Sequence, residues 1–462
     1  MTKRNFPEVT ATLETIVGGG QTLATLDDGR KLFVWGGLPG ETVRVQITKK
    51  KSHYSEGVVA DVLTKSPDRV VPKDGDSYLS TSPWQIMSFA SEQAAKQALI
   101  LEAFSLHKIA LDDAPTTLAV APIGLATLPL PSAPSETSPE TSAGGGEIYS
   151  DGREYGYRNK VEYSFWYDTD TEALSLAFFR RGTHGKIPVL GTHLAQPAIN
   201  DAASAIVGVL NDMKIEGRAL KTLLLRCNAA GEVSWQLYVK DEDFLAGDFM
   251  ASVPGVRSGE VIFSNPKSPA SVITKRLAGT VTPLTDTILS VPFSYATESF
   301  FQVNIPVYEQ ALRDMAGFVL PNTPVVDLYS GVGTIGLTIG GDDVTLVEIN
   351  ESAVREMKRN ITALHRENTA HAVLAASETA LDYISGDKTI IVDPPRAGLH
   401  ADVVAKLLEA KPQRIIYLSC NPVTQARDVA LLGDAYKIVR HRGYNFFPRT
   451  PHIEHLVVLD LY

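Results

Sequence analysis

From about residue 286 the chain repeats one pattern, a short β-branched apolar run followed by a helix-forming stretch. The runs read TPVVDLY, DVTLVEI, KTIIVD and RIIYLS, and between them come segments such as ESAVREMKRNITALHREN and ADVVAKLLEAK. A strand that is apolar on both faces must be covered on both, so this alternation predicts a parallel sheet flanked by helices. That is the doubly wound, Rossmann-like α/β architecture, and its ligands bind beyond the carboxyl ends of the strands. The residues that end each run are therefore where chemistry is expected.

The rest of the chain is built differently. Residues 1–68 carry short alternating runs between Gly-rich turns (TATLETIV, GETVRVQITKKK, SEGVVADVL), as in a small β-barrel. Residues 69–285 mix a helix over 84–110 with hairpin-like strands such as LKTLLLRCNAAGEVSWQLYVK, and read as an α+β domain. Within it, residues 121–150 are rich in Pro, Ser, Thr and Gly and poor in bulky side chains, the composition of a disordered insertion. Three domains result: 1–68, 69–285 and 286–462.

Composition narrows the function classes. The N-terminus lacks an apolar secretory core and no apolar run reaches about 20 residues, so a cytoplasmic protein without membrane association is expected. Two cysteines in 462 residues exclude a disulfide framework or a four-thiolate metal site from this chain alone. The net charge of -10 argues against bulk electrostatic coating of nucleic acid, although Lys49–Lys51 and Arg158, Lys160, Arg180 and Arg181 form local basic clusters.

The first strand end reads VVDLYSGVGTIGL. Gly331, Gly333 and Gly336 fit G-x-G-x-x-G, which suits a nucleoside cofactor, whether NAD or S-adenosylmethionine (SAM). Asp327 just before the turn favours SAM, because an acid there attracts an amino group and repels a pyrophosphate. Glu348, ending the second run, suits ribose hydroxyls in either cofactor. Asp393-Pro394-Pro395 ends a later run in a rigid loop that carries a carboxylate and cannot continue the sheet. Dehydrogenases have no need of such a loop. The next run delivers Cys420, whereas Cys227 in LLLRCNAAG reads as a packed thiol.

Taken together these segments resemble the uracil-5 RNA methyltransferases. SFFQVN at 299–304, DLYSGVGTIGL at 327–337, VEIN at 347–350, DPPRAGL at 393–399, LSCNP at 418–422 and PHIEHLVVL at 451–459 match in order. YRNKVEYSF at 157–165 is similar to the family's central domain, and residues 1–68 resemble a TRAM domain. The resemblance implies SAM as cofactor, held at Gln302, Tyr329, Glu348 and Asp393, with Asp327, Gly331 and Gly333 shaping the same site. Cys420 would be the nucleophile and Glu454 the base. Arg396 would approach RNA, order its loop or form a structural ion pair.

Two departures from the family stand out. Where many relatives hold an iron–sulfur cluster, this chain has DSYLSTSPWQIMSF, with His193 near the position of a fourth ligand, so no metal is expected. Ser330 replaces a frequent, non-catalytic cysteine. The expected partner is RNA, with rRNA favoured over tRNA because a TRAM-like barrel is commoner on the rRNA-modifying branch, and the expected state is a monomer. The competing readings are a cytosine-5 methyltransferase, which would usually place a cysteine in the DPPR loop, and a non-catalytic RNA-binding protein, which would not need Cys420 with Glu454.

Overall fold

The computed structural model describes residues 7–111, 148–183, 185–253 and 258–462. The chain divides into two compact units. The first comprises residues up to 95, 151–305 and 446–452, and the second comprises 96–150, 306–445 and 453–462. No helix among the described residues is long and apolar enough to cross a membrane.

The first unit opens with six strands, β1 (Glu8–Thr12), β2 (Thr15–Ile16), β3 (Thr22–Thr25), β4 (Lys31–Trp35), β5 (Thr42–Lys50) and β6 (Tyr54–Thr64). They order as β1-β5-β6-β4-β3-β2, and their alternating inward residues, among them Leu32, Val34, Val43 and Val45, make a small buried core. Helix α1 (Tyr78–Thr81) follows, and α2 (Phe89–Ser105) begins in the first unit and ends in the second. Helix α2 is shorter than the sequence predicts. The Ser88 hydroxyl accepts the Ser91 N–H at its start, and Lys108 adopts φ 60° just beyond its end. The predicted insertion at 121–150 lies outside the described residues except for Ile148–Ser150, where Tyr149 bridges Tyr444.

A seven-stranded sheet completes that unit: β7 (Lys160–Asp168), β8 (Ala173–Phe179), β9 (Lys186–Val189), β10 (Leu220–Cys227), β11 (Val233–Val239), β12 (Ser258–Phe263) and β13 (Lys275–Thr280). Helix α3 (Pro197–Asp212) and the short α4 (Ala246–Ser252) pack on it through Ile199, Ile206, Leu210 and Phe249. The hairpin β14 (Leu284–Ile288) and β15 (Val291–Tyr295) leads out of it.

The second unit is the α/β sheet anticipated from the apolar runs. After α5 (Ile305–Ala316) come β16 (Val325–Leu328), α6 (Thr334–Ile339), β17 (Val344–Glu348), α7 (Glu351–Ala363), β18 (Ala370–Leu374), β19 (Thr389–Val392), α8 (Ala401–Ala410), β20 (Arg414–Ser419), α9 (Pro422–Leu432), β21 (Tyr436–Tyr444) and β22 (Glu454–Leu461). The order is β18-β17-β16-β19-β20-β22-β21. The first five strands of that order run parallel, and β22 pairs antiparallel with both β20 and β21. Val326, Ile390, Ile391, Ile416 and Leu418 are wholly buried, as strands covered on both faces must be.

This order contains a switch point between β16 and β19, where successive connections leave in opposite directions along the sheet and open a crevice. Because β22 is antiparallel, its first residue lies at the rim where the parallel strands end. Glu454 is that residue.

Candidate functional site

Four strand ends and one strand start meet at this rim. Asp327 is the third residue of β16, Glu348 ends β17, Asp393 follows β19, Cys420 follows β20 and Glu454 begins β22. The turn after β16 is held from within. The Ser330 hydroxyl donates to Asp327 O at 2.5 Å, Gly333 N–H to Ser330 O at 2.9 Å, and Gly331 N–H to Glu348 Oε2 at 2.9 Å. Gly333 has φ +89°, and a Cβ there would press on Leu337 and Met357 at 3.0–3.1 Å, so only glycine makes this turn into α6. The Gly331 bond ties the second strand end to the first, and Glu348 Oε1 also accepts Asn350 N–H at 2.7 Å within its own turn.

Asp327 is completely buried. Its Oδ2 accepts Gly336 N–H at 2.9 Å, while Oδ1 has no hydrogen-bond partner among the described residues. Burial pushes its carboxyl up to about 8; the Gly336 N–H opposes the shift, and the Asp393 and Glu348 carboxylates add to it. Tyr329 sits at φ +64°, an uncommon backbone conformation for an aromatic residue, and its half-buried phenol lies near Ser377 and the His400 backbone. Gln302 belongs to the first unit, where its buried side chain follows β15 and its carbonyl accepts Asn159 Nδ2–H at 3.0 Å.

The loop after β19 is braced by helix α9, which begins two residues after Cys420. Asn421 caps that helix through Val423 N–H, and its Nδ2 donates to Arg396 O at 2.8 Å. Thr424 donates to the same carbonyl at 3.1 Å, and Asp428 Oδ2 accepts both Leu399 N–H and the Tyr417 hydroxyl at 2.8 Å. Gly398 (φ +82°) lies so close that a Cβ would come within 2.5 Å of Asp428 Oδ2. The segment carrying Asp393 and Arg396 is thus fastened to the residues that follow Cys420.

The electrostatics at this point are unusual. Burial lifts the half-buried Cys420 thiol to about 12, the carboxyls of Glu454 and Asp393 push the same way, and Arg396 opposes them. Burial raises Asp393 to about 7. Glu454, 5% exposed, is driven well above the usual carboxylate range by burial and by Asp393, with Arg396 again opposing. A neutral thiol thus faces two carboxyls that hold protons more tightly than free acids do. No hydrogen bond to either carboxyl is seen among the described residues.

Other expected positions fall elsewhere. Cys227 is buried at the end of β10 and donates to Gln196 Oε1 at 3.2 Å. His193 Nδ1 lies 2.6 Å from Asp74 Oδ1, and Asp74 Oδ2 accepts the hydroxyl of Thr192 and Nε2–H of Gln85. No group of metal-ligating side chains is present among the described residues. The bracing roles of Asn421, Thr424 and Asp428 escape a reading of the sequence. Asn-Pro ahead of an apolar stretch signals a capped helix, but a single buried Asp on that helix carries no signal of its own.

The chain is similar to known proteins over nearly its whole length. The family model for tRNA (uracil-5-)-methyltransferase matches residues 287–461, and the TRAM domain model matches residues 4–60. An uncharacterized RNA methyltransferase of Enterococcus faecalis is 28% identical over 94% of this chain and 93% of its own. One from Nitratidesulfovibrio vulgaris is 26% identical over 97% and 95%. The fold is shared with the Pyrococcus abyssi tRNA (uracil-54, C5)-methyltransferase in complex with S-adenosyl-L-homocysteine, with a TM-score of 0.73, 20% identity and coverage of 98% of this chain and 100% of that one. Residues 287–461 are therefore a domain of the tRNA (uracil-5-)-methyltransferase family, and residues 4–60 a TRAM domain.

Proposed function

We propose that the protein methylates C5 of uridine in RNA, with SAM as methyl donor and Cys420 as covalent nucleophile. The observation that carries this reading is the convergence at one rim of a thiol, two carboxyls with raised pKa and one arginine, on strand ends beside a glycine turn. Such a constellation suits a substrate that must be attacked, deprotonated and released in turn.

The residues present fit SAM. Glu348 keeps a free lone pair on each oxygen for ribose hydroxyls, and the buried, unpartnered Oδ1 of Asp327 is an acceptor that suits a cationic amino group. Tyr329, Gly331, Gly333 and Asp393 complete the proposed set, and Gln302 is assigned by the family resemblance of SFFQVN alone. When bound, SAM supplies an electrophilic sulfonium methyl.

The side chains do the rest. Uracil C5 is too weak a nucleophile until something adds at C6. The Cys420 thiol gives its proton to the ionised Asp393 carboxylate as its sulfur bonds to C6, and the C5=C6 electrons pass through C4 to O4, so the Glu454 carboxylate stays free for the later step. C5 then takes the methyl group. Glu454 removes the remaining C5 proton, the electrons re-form C5=C6, and the sulfur leaves. Arg396, beside both Cys420 and Glu454, steadies the negative charge that builds up during addition. The target base must leave its stack to reach this crevice, as for other enzymes that act on bases.

Among RNA classes we favour rRNA, on the strength of the TRAM domain at residues 4–60. A tRNA substrate is the second reading, favoured by the shared fold with the archaeal enzyme that acts on tRNA uracil 54. The acting species is a cytoplasmic monomer. The test is incubation with tritiated SAM and separately purified rRNA and tRNA, followed by nucleoside analysis. Labelled 5-methyluridine in rRNA is expected. Label in 5-methylcytidine, or in neither RNA, would overturn the reading.

A further inference from the structure

Behind the rim, on the opposite face of the strand that carries Glu454, lies a chain of buried hydrogen bonds. Side chains alternate along β22, so His455 points away from the crevice into which Glu454 points. His455 is wholly buried, with the Phe104 ring edge-on at 5.3 Å. Its Nδ1 lies 2.7 Å from Gln425 Oε1, and its Nε2 lies 3.3 Å from His441 Nδ1. His441 Nε2 in turn lies 2.8 Å from Leu111 O.

The protons in this chain can be counted. The Gln425 amide has one orientation, because Nε2 donates to two carbonyls, Tyr417 O at 3.0 Å and His455 O at 2.9 Å. Its Oε1 therefore accepts, and His455 Nδ1 must carry hydrogen. At the other end Leu111 O can only accept, so His441 Nε2 must carry hydrogen as well. The two inner nitrogens bond to each other only if one of them is also protonated. Two neutral imidazoles hold two protons, whereas this arrangement holds three. Burial, followed by the charge on His441, holds His455 far below its ordinary range, so the third proton belongs to His441.

We propose that His441 is a positioning residue held as an imidazolium, closing a chain from Leu111 through His455 to Gln425 that fixes β22 against α9 and thereby Glu454 against Cys420. Both reacting groups are attached to this chain. His455 is the residue after Glu454 and pairs across the sheet with Ser419, the residue before Cys420. Gln425 stands on the helix that begins just beyond Cys420. Breaking the chain at His441 would leave the His455 ring hydrogen-bonded on its Gln425 side alone, so the strand start that carries Glu454 would be held less firmly against that helix. The charged groups on adjoining elements are Lys96 of α2, held by Asn445 Oδ1 at 2.6 Å, Arg440 and Arg442 of β21, and Asp314 of α5, which pairs with Arg442.

The inference rests on the methyltransferase reading, but its first test does not. The full-length protein labelled with 15N-histidine is titrated by NMR, with His441→Gln and His455→Gln variants assigning the signals. At pH 7.5 both His441 nitrogens should be protonated and His455 should carry hydrogen on Nδ1 alone. A singly protonated His441 at that pH would overturn the proposal. In the second test, His441→Gln and His441→Phe should each lower kcat for uridine methylation at least about tenfold, leaving KM for RNA and for SAM within twofold. Wild-type kcat should also fall above the pH at which His441 loses its second proton, and the variants should lack that fall. Unchanged kcat in both folded variants would also overturn it. A wild-type protein that methylates nothing would instead defeat the functional reading and leave the proton count standing.

Discussion

The two cysteines make a controlled pair. Each follows or ends a strand, and burial pushes each thiol up to about 12. Each also has a carboxyl and an arginine nearby, Asp286 and Arg226 for Cys227, and Asp393, Glu454 and Arg396 for Cys420. What differs is whether those neighbours are already occupied. Asp286 accepts the Tyr295 hydroxyl at 2.5 Å and Ala229 N–H at 2.8 Å, and Cys227 itself is spoken for by Gln196 and wholly enclosed. Around Cys420 the thiol is half-buried and neither carboxyl receives a hydrogen bond among the described residues. A perturbed thiol is common to both places. Unsatisfied acid groups facing it mark only one of them as a place for chemistry.

The largest expected contrast is in turnover. Cys420→Ala should abolish methylation, by 10³-fold or more as an order of magnitude, because the covalent route is closed. Cys227→Ala should keep kcat within about twofold and should instead lower the melting temperature, which a steady-state assay with a thermal scan would check. The carboxyls should separate in the same way. Glu454→Gln should lose about 10²–10⁴ in kcat and accumulate adduct, as expected for removal of a general base. Asp286→Asn should cost stability alone, read by chemical denaturation.

The reacting groups should set the acidic side of the pH dependence. Burial raises the Cys420 thiol to about 12, Asp393 to about 7 and Glu454 above the usual carboxylate range, and each of these groups acts once its proton is lost. kcat/KM for RNA should therefore rise with pH from about 6 to 7.5, where His441 keeps both protons, by up to about tenfold per pH unit for one required deprotonation. A profile that falls over this range would contradict the assignment.

A smaller effect tests the bracing of the acidic loop. Gly398→Ala forces a Cβ toward Asp428 at a positive φ and should cost about 1–3 kcal/mol of stability. Asp327 adds a pH-dependent effect on stability. Its folded carboxyl lies near 8, above the roughly 3.9 of an unfolded chain, so the native state binds the extra proton between those values. Stability from this group is full below about pH 4 and is lost as pH rises through about 8. Asp327→Asn should flatten that part of the melting temperature–pH curve.

Much of this is legible in the sequence because it is written in local pattern. Continuous apolar runs such as VVDL and IIYLS can only be strands covered on both faces, and the residue ending each then falls at a known rim. A helix over 84–110 is too long because Ser88 and Lys108 act through hydroxyl capping and a left-handed turn, which helix-forming composition does not reveal. The contacts of Asp428, Gln425, His441 and His455 are not legible either. They join residues far apart in the chain, and each residue taken singly is compatible with a surface position. Clamping the two histidines into one hydrogen-bonded line is a property of the folded sheet.

The central claim is that Cys420 bonds to the pyrimidine ring. The direct measurement incubates the protein with SAM and RNA containing 5-fluorouridine, in which fluorine replaces the proton that Glu454 would remove, and resolves the products on a denaturing gel. A protein–RNA band that survives denaturation is expected for the wild type and for Cys227→Ala, and not for Cys420→Ala. An equal band from Cys420→Ala, or none from a wild-type protein that methylates ordinary uridine, would contradict the account.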